Sequence, residues 1–269
     1  MWGVAAVASW QRVAETTAVV ASVALSVLVA GPGGALENLL RPLIGSGGTP
    51  AQRLAELAFG IPQALLLVPG LALWAWSPRL RPAGSALTVV ATLGITIDLA
   101  VEDGLTPLAT TLLSALLLLA LYQTLTVPSL GPVPRRGPAL LLAVLAGVTP
   151  WALQSGLLLV AELRGVPASA GDYVVVLVYT SLTATLLLLP LLRLDAFALA
   201  GQAAAVGAIV YALASLRWSG PDTALHRIAA VLAVATAVAY IDTIRQLAAT
   251  QRPQAVGEQA GSGAAERRG

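Results

Sequence analysis

The sequence predicts an all-α, polytopic integral membrane bundle of about eight transmembrane helices. Three observations carry this. The chain is 57% hydrophobic and only 10% charged, whereas soluble domains run near half apolar and a quarter charged. Its mean hydropathy is +0.83. Apolar runs recur at close to the length that crosses a bilayer, about 20 residues. They lie near 13–31, 54–76, 86–101, 105–127, 139–162, 173–192, 196–216 and 225–247. The weakest are the first, third and eighth, so seven spans is the alternative count.

Segment one has the length of a signal peptide's apolar region. No base precedes Arg12, however, and Leu28 stands where a cleavage site after Ala30 needs a small residue. It is therefore read as a span. The connection 31–53 follows, with Leu36, Leu39, Leu40 and Leu43 at three- and four-residue spacing. That spacing predicts a short amphipathic helix lying on the outer surface. Segment two gathers Gly60, Pro62, Gln63, Pro69 and Gly70. Two prolines seven apart share a helix face, and each deletes a backbone hydrogen bond. A kinked span is expected.

Segment three ends in "DLAVEDG", with Asp98 one turn before Glu102 and Asp103. The last two belong to a turn, Glu102 to Gly104, leading into segment four. Segment four, with its "LLSALLLLALY", suits a lipid-facing position. Segment five carries Pro150 and Gln154 one helical turn apart. Segment six is again leucine-rich. Segment seven, "AGQAAAVGA", is nearly all small residues. Small side chains let membrane helices approach closely, which predicts a central position. Segment eight is bounded by His226 and Arg227 at one end and by Asp242 and Arg245 at the other. Asp242 and Arg245, three apart, are expected to pair at the helix end. Residues 251–269 are small and polar with no apolar face, which predicts a disordered cytoplasmic tail.

Arginine placement sets the orientation. With eight spans and the N-terminus inside, ten arginines fall on the inner side and five on the outer. The pairs in "SPRLRP" and "PVPRRGP" fall on one side only if an even number of spans separates them. The expectation is a plasma-membrane protein with both termini cytoplasmic. Trp74 and Trp76 then sit at an inner helix end, and Tyr173 and Trp218 at outer ends, the depth amphipathic rings favour. A 4+4 repeat is a further alternative. Pro32 and Pro150 are 118 apart, Pro69 and Pro190 are 121 apart, and Tyr122 and Tyr240 are 118 apart. With 17 prolines in the chain, chance produces such pairings easily.

Composition removes several chemistries. There is no cysteine and one histidine, and the sole methionine is the first residue. Disulfides, thiolate nucleophiles, cysteine or histidine metal clusters and a haem with two protein ligands are excluded on that basis. All 15 bases are arginine, so no lysine exists to form a retinal or pyridoxal Schiff base. No basic run suits nucleic acid. "SAGD" at 169–172 lacks the first glycine of the intramembrane aspartyl protease pattern. No phosphate-binding loop, nucleophile elbow or paired aspartate-rich motif occurs. No catalytic residue, metal site or cofactor is expected, and the expected partners are the lipid bilayer and other membrane subunits.

Three residues remain as candidates for binding. Gln63 and Gln154 lie in the two proline-interrupted spans, where transporters build sites. Asp98 lies on a helix face with Ala91, Gly94 and Glu102. An acid within a span usually faces protein or a wet cavity, although Asp98 is only about 6 Å below the turn. The first functional reading is a small-solute or ion permease, with Asp98 as its ion or proton group. The second is a non-catalytic accessory or scaffold subunit. The third is a membrane enzyme acting on a lipid-soluble substrate.

Overall fold

The structure is a computed structural model, and it describes residues 34–45, 48–76, 80–102, 137–163, 170–218 and 224–266. Among them every regular element is helical. Five stretches are long and apolar enough to cross a membrane: Gln52–Trp76, Pro138–Gly156, Val175–Leu192, Ala196–Trp218 and Arg227–Thr250. They correspond to the second, fifth, sixth, seventh and eighth segments. The third segment lies in a helix of 22 residues, Arg81–Glu102, about 33 Å long at the usual rise. Segments one and four, and with them half of the proposed repeat, lie outside the described residues.

Helix α1 (Gly34–Ile44) leads to α2 (Pro50–Ile61) through Gly48, whose φ of +85° suits only a residue without a side chain. Thr49 caps α2. Its hydroxyl accepts from the Gln52 amide at 3.2 Å, and the Gln52 side chain accepts from the Thr49 amide at 2.9 Å. This reciprocal box satisfies donors that a helix start leaves open. A π-helix, Pro62–Leu67, then joins α2 to α3 (Val68–Trp76). The Val68 amide donates to the Gln63 carbonyl, five residues back. Pro62 and Pro69 have no amide hydrogen for the usual four-residue bond, and the wider turn between them takes up the mismatch. The expected kink in this span is therefore a π-helical segment.

α4 (Arg81–Glu102) packs antiparallel on α3. The approach is close because both helices present glycine. A Cβ on Gly84 would lie 2.6 Å from the Gly70 carbonyl oxygen and 2.7 Å from the Trp74 nitrogen. α5 (Pro138–Leu163), α6 (Ala170–Leu192), α7 (Leu194–Trp218) and α8 (Ala224–Glu266) form a ring of four. α6 and α8 each pack against both α5 and α7. The α6–α7 turn is a single residue, Arg193. Its amide donates to the Leu189 carbonyl, and its own carbonyl accepts from Phe197. The bent span and α4 cover the α6–α7 side of this ring.

The small-residue helix α7 packs against α2, the π-helix, α4, α6 and α8. Ala200, Ala204, Ala205, Ala208 and Ala212 are all buried along it. Without water to drive helix association, such close packing is what holds membrane helices together.

α1 is helical where the leucine spacing predicts a helix, and it packs along α2 and reaches the π-helix. Its buried side carries Leu39 and Pro42, while Leu36 and Ile44 point away. At the C-terminus α8 continues as helix to Glu266.

Candidate functional site

The two candidate glutamines are both placed, and they are not together. Gln63 is 2% exposed in the π-helix, which packs against α4 and α7. Gln154 is half-buried on α5, whose main neighbours are α6 and α8. α6 lies between α5 and the bent span. Asp98 lies within helical α4, but its side chain is outside what the structure describes. Earlier on the same helix Ala91 and Gly94 are buried, and a Cβ on Gly94 would touch Leu182 of α6 at 3.0 Å.

Where α5, α6 and α7 meet, the bundle is filled by three aromatic rings. Trp151 of α5 stands edge-on to Tyr179 of α6 at 6.1 Å and to Tyr211 of α7 at 6.0 Å. The two tyrosine rings are 4.9 Å apart. All three are buried. The Trp151 indole nitrogen makes no hydrogen bond, and the Tyr179 hydroxyl faces the buried Thr183 side chain. A Cβ on Gly207 would lie 2.9 Å from the Ile61 side chain of α2, so glycine on α7 makes room for that contact. One turn from Trp151, the Ser155 and Thr180 hydroxyls share a hydrogen bond of 2.7 Å across α5 and α6.

A second polar feature runs along α4. Ser85, Thr88 and Thr92 are buried at three- and four-residue spacing, which puts them on one helix face. The Thr88 hydroxyl is satisfied by the Gly84 carbonyl at 2.9 Å. The Ser85 hydroxyl has no partner. Sequence reading passed over both features. The signal for the first was tyrosine inside two apolar spans, at 179 and 211. The signal for the second was the i, i+3, i+7 hydroxyl pattern in "GSALTVVAT".

Tyr240 fastens α8 to the ring. Its hydroxyl donates to the Leu187 carbonyl of α6 at 3.1 Å. Pro190 nearby disturbs the local bonding of α6, because it has no amide hydrogen for the Leu186 carbonyl. The ring lies against Gly147 of α5, where an added Cβ would stand 3.0 Å away. On α7, a Cβ at Gly201 would collide with the Tyr240 hydroxyl and lie 2.9 Å from Pro190.

The helix ends are less eventful. Trp74 is buried, whereas Trp76 is 87% exposed. At the opposite end, the Arg53 guanidinium sits 5.8 Å from the centre of the buried Trp218 ring, within cation–π range. The expected Asp242–Arg245 pairing gives way to another bond. Asp242 accepts from the Gln246 side chain at 2.8 Å, which lies a full turn on and so reaches it more squarely. No group of three metal-binding side chains occurs among the described residues.

A groove of about 540 Å³ opens on the outside of the bundle. Pro69, Trp76 and Leu87 form one wall, and Gln202, Val206 and Ile241 form the other. Gln202 is the one amide on an otherwise apolar lining. Searches of protein-family models, curated proteins and solved structures found nothing that matches this chain.

Proposed function

We propose that this protein is a non-catalytic subunit of a membrane complex, holding partner helices rather than passing a solute. The observation that carries the reading is the aromatic block of Trp151, Tyr179 and Tyr211, which fills the bundle where a carrier needs a wet cavity. The separation of Gln63 and Gln154 by α6 supports it as well. A docking face is available on α5, the least buried of the spans together with α8. There Ala146, Thr149, Ala152 and Gly156 are exposed along one side, and a Cβ added to Gly156 would meet nothing within 4 Å. Small residues at this spacing let a second helix come close.

A photo-crosslinking amino acid placed at Ala152 or Gly156 tests the reading in native membranes. The expected product is a protein adduct of one size from both positions. Leu188 and Val238, exposed on other helices, should give none. Adducts of one size from all four positions, or from none, would contradict an α5 interface.

The permease reading keeps one observation of its own: buried polar groups without partners at Ser85 and Trp151. Such groups often mark sites that hold water or a solute. Because the chain has no cysteine, a Ser85→Cys variant reports on water directly, since only a hydrated thiol ionises and reacts with charged thiol reagents. The subunit reading expects no labelling, and rapid labelling would favour the permease.

A further inference from the structure

The groove between α3, α4, α7 and α8 has the shape and setting of a lipid site. We infer that it holds one acyl chain of an anionic phospholipid, with the headgroup at the arginines around its mouth. The first support is depth. Trp76 and Leu80 lie at helix ends, at one membrane surface, and both line the groove. Val206, at the deep end, is twelve residues into α7, about 18 Å along the helix. The hydrocarbon core is about 30 Å thick. The groove therefore runs from one surface to roughly the bilayer middle, the length of a single leaflet. It does not continue across, as a groove for a spanning partner helix would.

The second support is charge. Arg81 directly follows Leu80, which lines the groove. Arg245 is exposed one turn beyond Ile241, another lining residue. Arg193 forms the α6–α7 turn at the same surface. The acids near the mouth are Asp195, in the first turn of α7, and Asp242, which accepts from the Gln246 side chain, against the three arginines. Bases thus outnumber acids at the mouth, and anionic headgroups gain from such a cluster. The third support is the wall itself. Ala72 and Ala203 are small, so the groove stays open between larger neighbours.

The site does not depend on whether the chain is a subunit or a permease, since it lies away from the α5 face and from the aromatic block. The full chain, reconstituted in nanodiscs of equal phosphatidylglycerol and phosphatidylcholine and released for native mass spectrometry, tests it. Phosphatidylglycerol is expected to be retained, about one per chain. Arg81→Gln and Arg245→Gln should each weaken that preference about five-fold, the effect of one arginine near an anionic headgroup. Ala203→Trp should fill the groove and displace the lipid with both arginines intact. Val206→Trp, at a position already 45% exposed, repeats this where misfolding is not a concern. Retention indifferent to headgroup, retention unchanged by both tryptophans, or a polypeptide found in the groove would each overturn the assignment.

Discussion

At the scale of single residues, Tyr240 and Gly201 form the most constrained contact. The Tyr240 hydroxyl bonds the Leu187 carbonyl, and Gly201 leaves the space it occupies. Tyr240→Phe should cost about 1 kcal/mol, the usual net worth of a buried hydrogen bond. Gly201→Ala should cost about 1–3 kcal/mol through overpacking. The two effects are coupled, because the added methyl collides first with the hydroxyl that the other change removes. The double variant should therefore lose less stability than the sum of the singles. Unfolding in detergent micelles measures this, and simple additivity would show that the hydroxyl is not the obstacle. Neither residue was legible as a site from sequence. Tyr240 read as one of five scattered tyrosines, since nothing local reveals which helix lies across from it. Gly201 was legible in kind, because "AGQAAAVGA" predicts close packing. Its partner was not.

Among the elements, the tightest crossing is α3 against α4, where Gly70 and Gly84 bring two backbones together. Gly84→Ala puts a methyl against the Gly70 carbonyl and the Trp74 nitrogen. Backbone cannot step aside as a side chain does, so a loss of about 1–3 kcal/mol is expected. Gly156→Ala makes the opposite prediction. Its Cβ meets nothing, and alanine is the better helix former by about 1 kcal/mol, so the isolated chain should be unchanged or slightly stabilised. Thermal unfolding of the two variants side by side decides, and a Gly84→Ala variant as stable as Gly156→Ala and the parent chain would mean that the crossing is looser than these distances. The prolines at 62 and 69 made a distorted span legible in advance, because a missing amide is a local property. The π-helical form of the distortion was not, since it depends on what α4 and α7 press against Pro62–Leu67. The same limit explains Gln63 and Gln154. Both stood beside helix-breaking prolines, but sequence carries no record that α6 passes between their helices.

For the whole molecule, helix directions lead to a statement about threading. Arg53 at the start of α2 stacks on Trp218 at the end of α7, so those two ends share one membrane surface. Trp76, Leu80, Leu199 and Ile241 meet around the groove, so the α3–α4 turn and the start of α7 share the other. α4 begins at that second surface and Glu102 ends it at the first. α5 starts at the second surface, because it runs antiparallel to α6: Gly147 meets Tyr240, which bonds Leu187 near the Arg193 turn, whereas Ser155 further along α5 bonds Thr180, nearer the other end of α6. The described helices thus put Glu102 at one surface and Gly137 at the other. The arginine pairs in "SPRLRP" and "PVPRRGP", expected on one side, set the same parity on independent, electrostatic grounds. Single cysteines introduced at Glu102 and Gly137 of this cysteine-free chain read it directly. An impermeant maleimide applied to intact cells should label position 102, and should label position 137 only after permeabilisation. A cysteine at Gly48 should behave like the first, and one at Arg193 like the second. Labelling of 102 and 137 from the same side would break the parity. Labelling of all four from the reverse sides would keep the parity and invert the orientation that the arginines set.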